Sequence, residues 1–149
     1  MLGRLETPVG TLWIEETDGA VTRVTNRPLS GPEGETPVLA QAKRELCEYF
    51  AGARKTFTVP LNPAGTDFQR AVWAALRAIP YGETRTYGAV AAAVGRPKAA
   101  RAVGNANNKN PILIFTPCHR VVGADGALVG FAAGLPVKEV LLALERKYR

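Results

Sequence analysis

Two short segments near the start of the chain alternate between apolar and polar residues. "TLWIEE" (11–16) and "VTRVTN" (21–26) do so on either side of Asp18-Gly19. That dipeptide suits the left-handed backbone of a two-residue hairpin loop, so an antiparallel pair with one buried face is expected. "SGPEGET" (30–36) has loop composition. From Pro37 the apolar period becomes helical. In "PVLAQAKRELCEYFAG", Leu39, Ala42, Leu46 and Phe50 share a side, Pro37 suits the first turn and Gly52 the stop. Cys47 lies beside that stripe and reads as a small buried hydrophobe. "KTFTVPL" (55–61) reads as one more short strand, and "NPAG" (62–65) as a linker.

The second half changes character. "TDFQRAVWAALRAI" (66–79) offers Thr66 as a helix cap and places Phe68, Val72, Leu76 and Ile79 on one face. Two short alanine-rich helices follow, "TYGAVAAAVG" (86–95) and "KAARAVGNANN" (98–108), joined by a tight turn. That is the outline of a helix-turn-helix. On the second helix, Ala99, Ala102, Val103 and Ala106 form a small apolar side. Lys98, Arg101, Asn105 and Asn108 form a basic, amide-rich side without an acid, suited to phosphates and base edges. "ILIF" (112–115) reads as a buried extended segment, and the residues around Asp125-Gly126 as a hairpin wing. The closing helix turns Val137, Val140, Leu141, Leu144 and Tyr148 inward, with Glu145 at the edge of that stripe. The expected fold class is α+β. A small N-terminal sheet-plus-helix domain (1–61) and a linker (62–65) precede a C-terminal winged helix-turn-helix domain (66–149).

Charge and composition narrow the function. The 149 residues carry a formal charge of +6, and a basic chain favours a polyanionic partner such as nucleic acid. The longest apolar run, "AVAAAV" (89–94), is too short to cross a bilayer. The N-terminus has no signal-peptide pattern. A soluble intracellular protein is expected. The two cysteines, Cys47 and Cys118, form no C-x-x-C pair, and the chain's one histidine cannot complete a Cys/His zinc site.

That histidine stands beside a cysteine, in "TPCHRVV" (116–122). The thiolate is the nucleophilic form of cysteine. A nearby imidazole can take the proton, and a carboxylate can orient the imidazole. Cys118, His119 and Glu145 are the residues available for those roles. Neighbours on an extended segment point to opposite sides, so the pair needs a bend at the cysteine or a water between the two groups.

"PCHRVV" followed by "LLALE" (141–145) resembles the active-site signature of the O6-alkylguanine-DNA alkyltransferases, or methylated-DNA–protein-cysteine methyltransferases. The likeness is continuous from "FQRAVWAALRAIPYGET" (68–84) through "GLPVKEVLLALE" (134–145), about Asp67 to Glu145. The N-terminal third matches in plan only. The resemblance implies a repair protein that moves the alkyl group of O6-alkylguanine irreversibly onto Cys118, once per molecule. His119 would act as base through a water and Glu145 would orient it. Tyr87 would press on the target nucleotide while Arg101 fills the vacated stack, with Lys98 and Asn105 beside it on the DNA. Asn110 would tie the helix-turn-helix to the active-site segment, with Arg120 as further structural support. The carbonyls of Cys118 and Val121 would read the guanine amine, and the Ala132 N–H the O6 oxygen. Phe131 stands where the family usually has tyrosine, and Ala133 falls at a variable position of the same pocket. No metal or organic cofactor is implied. The partner would be double-stranded DNA containing O6-alkylguanine, the protein a monomer, and the compartment the cytoplasm or nucleoid, or the nucleus in a eukaryote. The alternatives are a non-enzymatic lesion-binding relative, which Cys118 argues against, and a cysteine hydrolase, which the helix-turn-helix argues against.

Overall fold

The computed structural model describes residues 1–128, 131 and 133–149. The chain forms two compact units, Met1–Ala64 and Gly65–Arg149. The architecture is mixed α+β, with a three-stranded sheet in the first unit and most of the helix, with a two-stranded pairing, in the second.

The first unit is built on an antiparallel sheet of order β1 (Leu2–Thr7), β2 (Gly10–Thr17) and β3 (Ala20–Thr25). Leu5 faces Leu12, and Ile14 faces Val24. The β2–β3 loop is the Asp18-Gly19 pair, with φ of 52° and 83°, the two positive angles that match the strand twist. Helix α1 (Pro37–Phe50) starts where Thr36 accepts the Leu39 N–H at 3.1 Å. Leu39, Ala42, Leu46 and Tyr49 are buried with Leu12, Ile14, Val21 and Val24.

Three expectations for this unit are corrected. Tyr49, not Phe50, completes the buried stripe of α1. Cys47 is exposed, and Glu45 is buried instead. Residues 55–61 make no strand beyond a bridge between Val21 and Leu61. The physical reason is Glu45, whose carboxylate accepts the backbone N–H groups of Thr58 and Val59 and the Thr58 hydroxyl. Those N–H groups are therefore not free for a ladder.

The second unit opens with α2 (Asp67–Arg77). Thr66 and Gln69 form a reciprocal capping box at its start. A bridge of two residues, β4 (Arg85–Thr86), leads into α3 (Tyr87–Ala93), capped by Thr86. Helix α4 (Ala100–Asn108) completes the helix-turn-helix. The buried Trp73 of α2 donates its indole N–H to the Ala106 carbonyl of α4 at 2.9 Å. Truncating such a ring costs about 3–5 kcal/mol. Gly65 lies against it, and a Cβ there would come within 2.6 Å of the Trp73 ring.

Strand β5 (Val121–Val122) pairs in parallel with β4. The chain then turns at Asp125-Gly126, where Gly123 donates to the Ala127 carbonyl. The turn expected at Asp125-Gly126 is present, and part of the return arm of the expected wing lies outside the described residues. "ILIF" is buried but not extended, because Ile114 has a φ of 71° and the chain folds tightly between Ile112 and Thr116. The last helix, α5 (Leu135–Tyr148), buries Lys138, Leu141, Leu142 and Glu145. Val140, expected inside, is 42 % exposed, and Ala102 of α4 also faces outward. No helix among the described residues is long and apolar enough to cross a membrane.

Candidate active site

Cys118, His119 and Arg120 form a single 3₁₀ turn after Pro117, held by the Arg120 N–H on the Pro117 carbonyl. The turn supplies the bend that neighbouring thiol and imidazole groups require. All three residues are buried, His119 completely.

The segment is anchored from several elements. Asn110 donates to the carbonyls of Ile112 and Thr116 and accepts the Ile112 N–H, so the end of the helix-turn-helix grips the chain ahead of Cys118. Arg77 of α2 donates to the Thr116 hydroxyl at 3.1 Å. Asn107 of α4 donates to the Cys118 carbonyl at 3.4 Å. Lys138 of α5 donates to the Val121 carbonyl at 2.6 Å.

Glu145 is the hub. Its carboxylate meets Nε2 of His119 at 2.6 Å and accepts both Nε and Nη2 of Arg120 and the Gly82 N–H. Arg120 donates its remaining arm to the Ile79 carbonyl and lies over the Tyr81 ring. Burial alone would raise the Glu145 pKa, but the bonds from His119 and Arg120 overcome it and hold the carboxyl below its usual range. An ionised carboxylate only accepts, so Nε2 of His119 carries the hydrogen. Burial lowers the His119 pKa against the pull of Glu145. The imidazole is therefore neutral near pH 7, with a lone pair on the buried Nδ1, which has no hydrogen-bond partner among the described residues. Burial also pushes the Cys118 thiol up to about 11, with Asn110 and Lys138 pulling the other way. The resting site is a neutral thiol beside a neutral base.

Tyr87 stands at the start of α3, half-buried, with its ring against Gly104 of α4. Burial raises its pKa, and the charge of a Cys118 thiolate raises it further, which places the phenol in the thiol's field. Lys98, Arg101, Asn105 and Asn108 are all exposed, on or just ahead of α4. Phe131 is half-buried, its ring 5.9 Å from Nζ of Lys138. Ala132 lies outside the described residues.

Lys138 and Asn107 were missed by sequence reasoning, and both carried a signal. Lys138, Leu141, Leu142 and Glu145 sit at i, i+3, i+4 and i+7, so a helical count that kept charged residues would have put Lys138 on the Glu145 face. Asn107 follows Val103 by four and precedes Asn110 by three. No group of three or more metal-binding side chains occurs among the described residues.

Residues 67–147 match the model of the 6-O-methylguanine DNA methyltransferase DNA binding domain, and residues 2–63 that of the ribonuclease-like domain of the same proteins. The chain is 49 % identical over 152 residues to the constitutive methylated-DNA–protein-cysteine methyltransferase of Bacillus subtilis, covering 95 % of this chain and 92 % of that one. It is 62 % identical over 105 residues to the enzyme of the same name from Methanosarcina acetivorans, covering 70 % of this chain and 67 % of the other. A crystal structure of Mycobacterium tuberculosis OGT in complex with DNA superimposes with a TM-score of 0.88 at 41 % identity, covering 99 % of this chain and 93 % of that one.

Proposed function

The chain belongs to the 6-O-methylguanine DNA methyltransferase family, and from that premise we propose that it repairs DNA by taking the alkyl group of O6-alkylguanine onto Cys118. The observation that carries the reading is the buried Glu145–His119 pair at the turn that holds Cys118, behind a helix whose exposed face is basic. His119 takes the thiol proton at Nδ1 through a water, and Glu145 stabilises the imidazolium that forms. The thiolate attacks the alkyl carbon as the C–O6 bond breaks, and the electron pair stays with the base. Cys118 becomes a thioether. Thiol exchange does not reverse that bond, so each molecule reacts once.

The O6 edge of guanine is paired and stacked in a duplex, so the nucleotide must leave the helix first. Arg101 enters the vacated stack and Tyr87 presses the target nucleotide outward. Lys98 and Asn105 hold the backbone. The carbonyls of Cys118 and Val121 accept from the guanine amine, and Lys138 steadies the second of them. The Ala132 N–H is assigned to O6. Residues 62–65 act as the connection between the two domains. A DNA substrate calls for a location with the genome, in the cytoplasm or nucleoid, or in the nucleus of a eukaryotic cell.

Intact-mass and peptide mass spectrometry after incubation with an oligonucleotide containing O6-methylguanine tests this. One methyl group on the Cys118 peptide is expected, with none on the exposed Cys47. Turnover beyond one equivalent, a methyl on Cys47, or lesion binding without transfer refutes it.

A further inference from the structure

Asn107 lies on the inner face of α4 and is 1 % exposed. A peptide carbonyl only accepts, so the amide atom facing the Cys118 carbonyl is the NH₂ group. The side-chain oxygen, Oδ1, is therefore directed elsewhere. It is buried and receives no hydrogen bond from the described residues. Nδ1 of His119 is in the same position. Its ring gives the Nε2 hydrogen to Glu145, so Nδ1 is also an acceptor. Two buried acceptors thus belong to residues tied to Cys118, one on the side chain that donates to its carbonyl and one on the residue that follows it. They cannot satisfy each other, because neither carries a hydrogen. A water molecule has two hydrogens to give and an oxygen to accept with, and buried waters typically make about three bonds to polar groups of this kind.

We propose that Asn107 is a positioning residue of the proton relay: its Oδ1 and Nδ1 of His119 together seat one water molecule against the Cys118 thiol. The proposal deepens the reading of Cys118 as the acceptor and rests on it. In the resting state the S–H points to the water oxygen. The water gives one hydrogen to Oδ1 and the other to Nδ1. On transfer the thiol proton moves to the water oxygen while the second hydrogen moves to Nδ1. The water is regenerated, Cys118 is a thiolate, and His119 is an imidazolium against the Glu145 carboxylate. The thiolate then bonds to the alkyl carbon and the C–O6 pair leaves with the base. The charge on the base is balanced by the proton held on His119. Asn107 fixes the direction of transfer, because Oδ1 occupies one water hydrogen and leaves only the other for Nδ1.

Among the described residues, several titratable and polar groups surround the thiol. His119 and Arg120 lie on its own turn, Tyr87 on α3, Asn110 at the end of α4, Lys138 and Glu145 on α5, and Arg77 of α2 acts through Thr116. Of the charged groups, Lys138 favours the thiolate without accepting a proton near neutrality, so it cannot replace the relay.

The test is the pH profile of Cys118 methylation, followed by peptide mass spectrometry with two methyl donors: duplex DNA containing O6-methylguanine, and iodomethane. Cys47 serves as the internal reference for an exposed thiol. A positioned proton acceptor contributes about 10²–10⁴-fold, so Asn107→Leu is expected to slow Cys118 by about tenfold or more at pH 7. The loss should shrink as the pH approaches 11, where the thiol ionises without help. In a His119→Ala background, Asn107→Leu should cost nothing further, since the relay is already gone. An equal loss at every pH, an additive loss in the His119→Ala background, or no loss would overturn the proposal. Asn107→Ala is measured in the same way should the leucine variant not fold. Iodomethane keeps the two conclusions separate: a wild type with the expected iodomethane profile that takes no methyl from DNA sinks the repair reading and leaves the relay standing.

Discussion

The resting state of Cys118 can be read from the stability of the protein as the pH rises. A thiol that ionises near 9 in the unfolded chain ionises at about 11 in the folded one, because burial disfavours the charged form. Between those values the unfolded chain has lost the proton and the folded protein still holds it. The unfolded state then binds fewer protons, so stability falls as the pH rises through that window. Two pH units correspond to roughly 2–3 kcal/mol. Other groups titrate nearby. Tyr81 and Tyr87 are raised by burial and add to the fall. Lys138 is lowered by burial and opposes it. The clean quantity is therefore the unfolding free energy of the wild type minus that of Cys118→Ala, from urea titrations between pH 8 and 11. That difference is expected to decline by roughly 2–3 kcal/mol. A flat difference would mean that folding leaves the thiol unshifted, and a difference that rises with pH would mean that Lys138 and Asn110 already hold a thiolate in the folded state. The step in which His119 takes the proton would then be unnecessary, and the reasoning would fail.

Glu145→Gln keeps the shape of the hub but removes its charge. It should slow transfer at pH 7 by about tenfold or more in single-turnover kinetics. Because the Glu145 pKa is depressed in the fold, its contribution is complete above the unfolded value near 4 and fades as the pH falls below it. The variant should therefore lose stability less steeply than the wild type in acid urea titrations. Arg101→Ala should slow repair of a duplex more than attack on free O6-methylguanine, because only the duplex requires the nucleotide to be displaced. Equal losses on both substrates would assign Arg101 to the fold or the chemistry. Glu45→Ala should destabilise the N-terminal unit by about 2–4 kcal/mol in urea unfolding, since it strands the N–H groups of Thr58 and Val59. A loss below 1 kcal/mol would mean that water replaces the carboxylate there.

The readable parts of the sequence were those governed by local rules. The Asp18-Gly19 turn, the Thr36, Thr66 and Thr86 caps and the stops at Gly52 and Gly95 follow from backbone chemistry within a few residues. Parts decided by distant partners were not readable. Residues 55–61 have strand-like composition, yet a carboxylate on α1 takes their N–H groups. "ILIF" has the apolar run of a buried strand, yet Asn110 and the Ile114 turn fold it on itself. The inner face of α5 was misjudged because apolar residues alone were counted. Val140 faces outward, and Lys138, which a hydrophobicity rule sends to the surface, is buried because the Val121 carbonyl awaits its ammonium group. The Cys118–His119 pairing was legible as chemistry but not as geometry, since a 3₁₀ turn after a proline leaves no periodic trace.

Burial of the whole relay has a consequence for a protein that reacts once. With a pKa of about 11, Cys118 is ionised in roughly one molecule in 10⁴ at pH 7. An exposed cysteine with an ordinary pKa near 8.5 would be ionised a few per cent of the time. Stray electrophiles and oxidants act on the thiolate, so desolvation protects the acceptor from being consumed by them. The same desolvation would silence it toward its substrate if nothing removed the proton. In the proposed relay His119 supplies that removal from inside the fold, where its ring is shielded from bulk solvent and its charged product is met by Glu145. Reactivity is therefore set by the relay and not by the standing population of thiolate. A site tuned only for a low thiol pKa would react faster with every electrophile, whereas this arrangement spends its single event where a substrate is held in line with the sulfur.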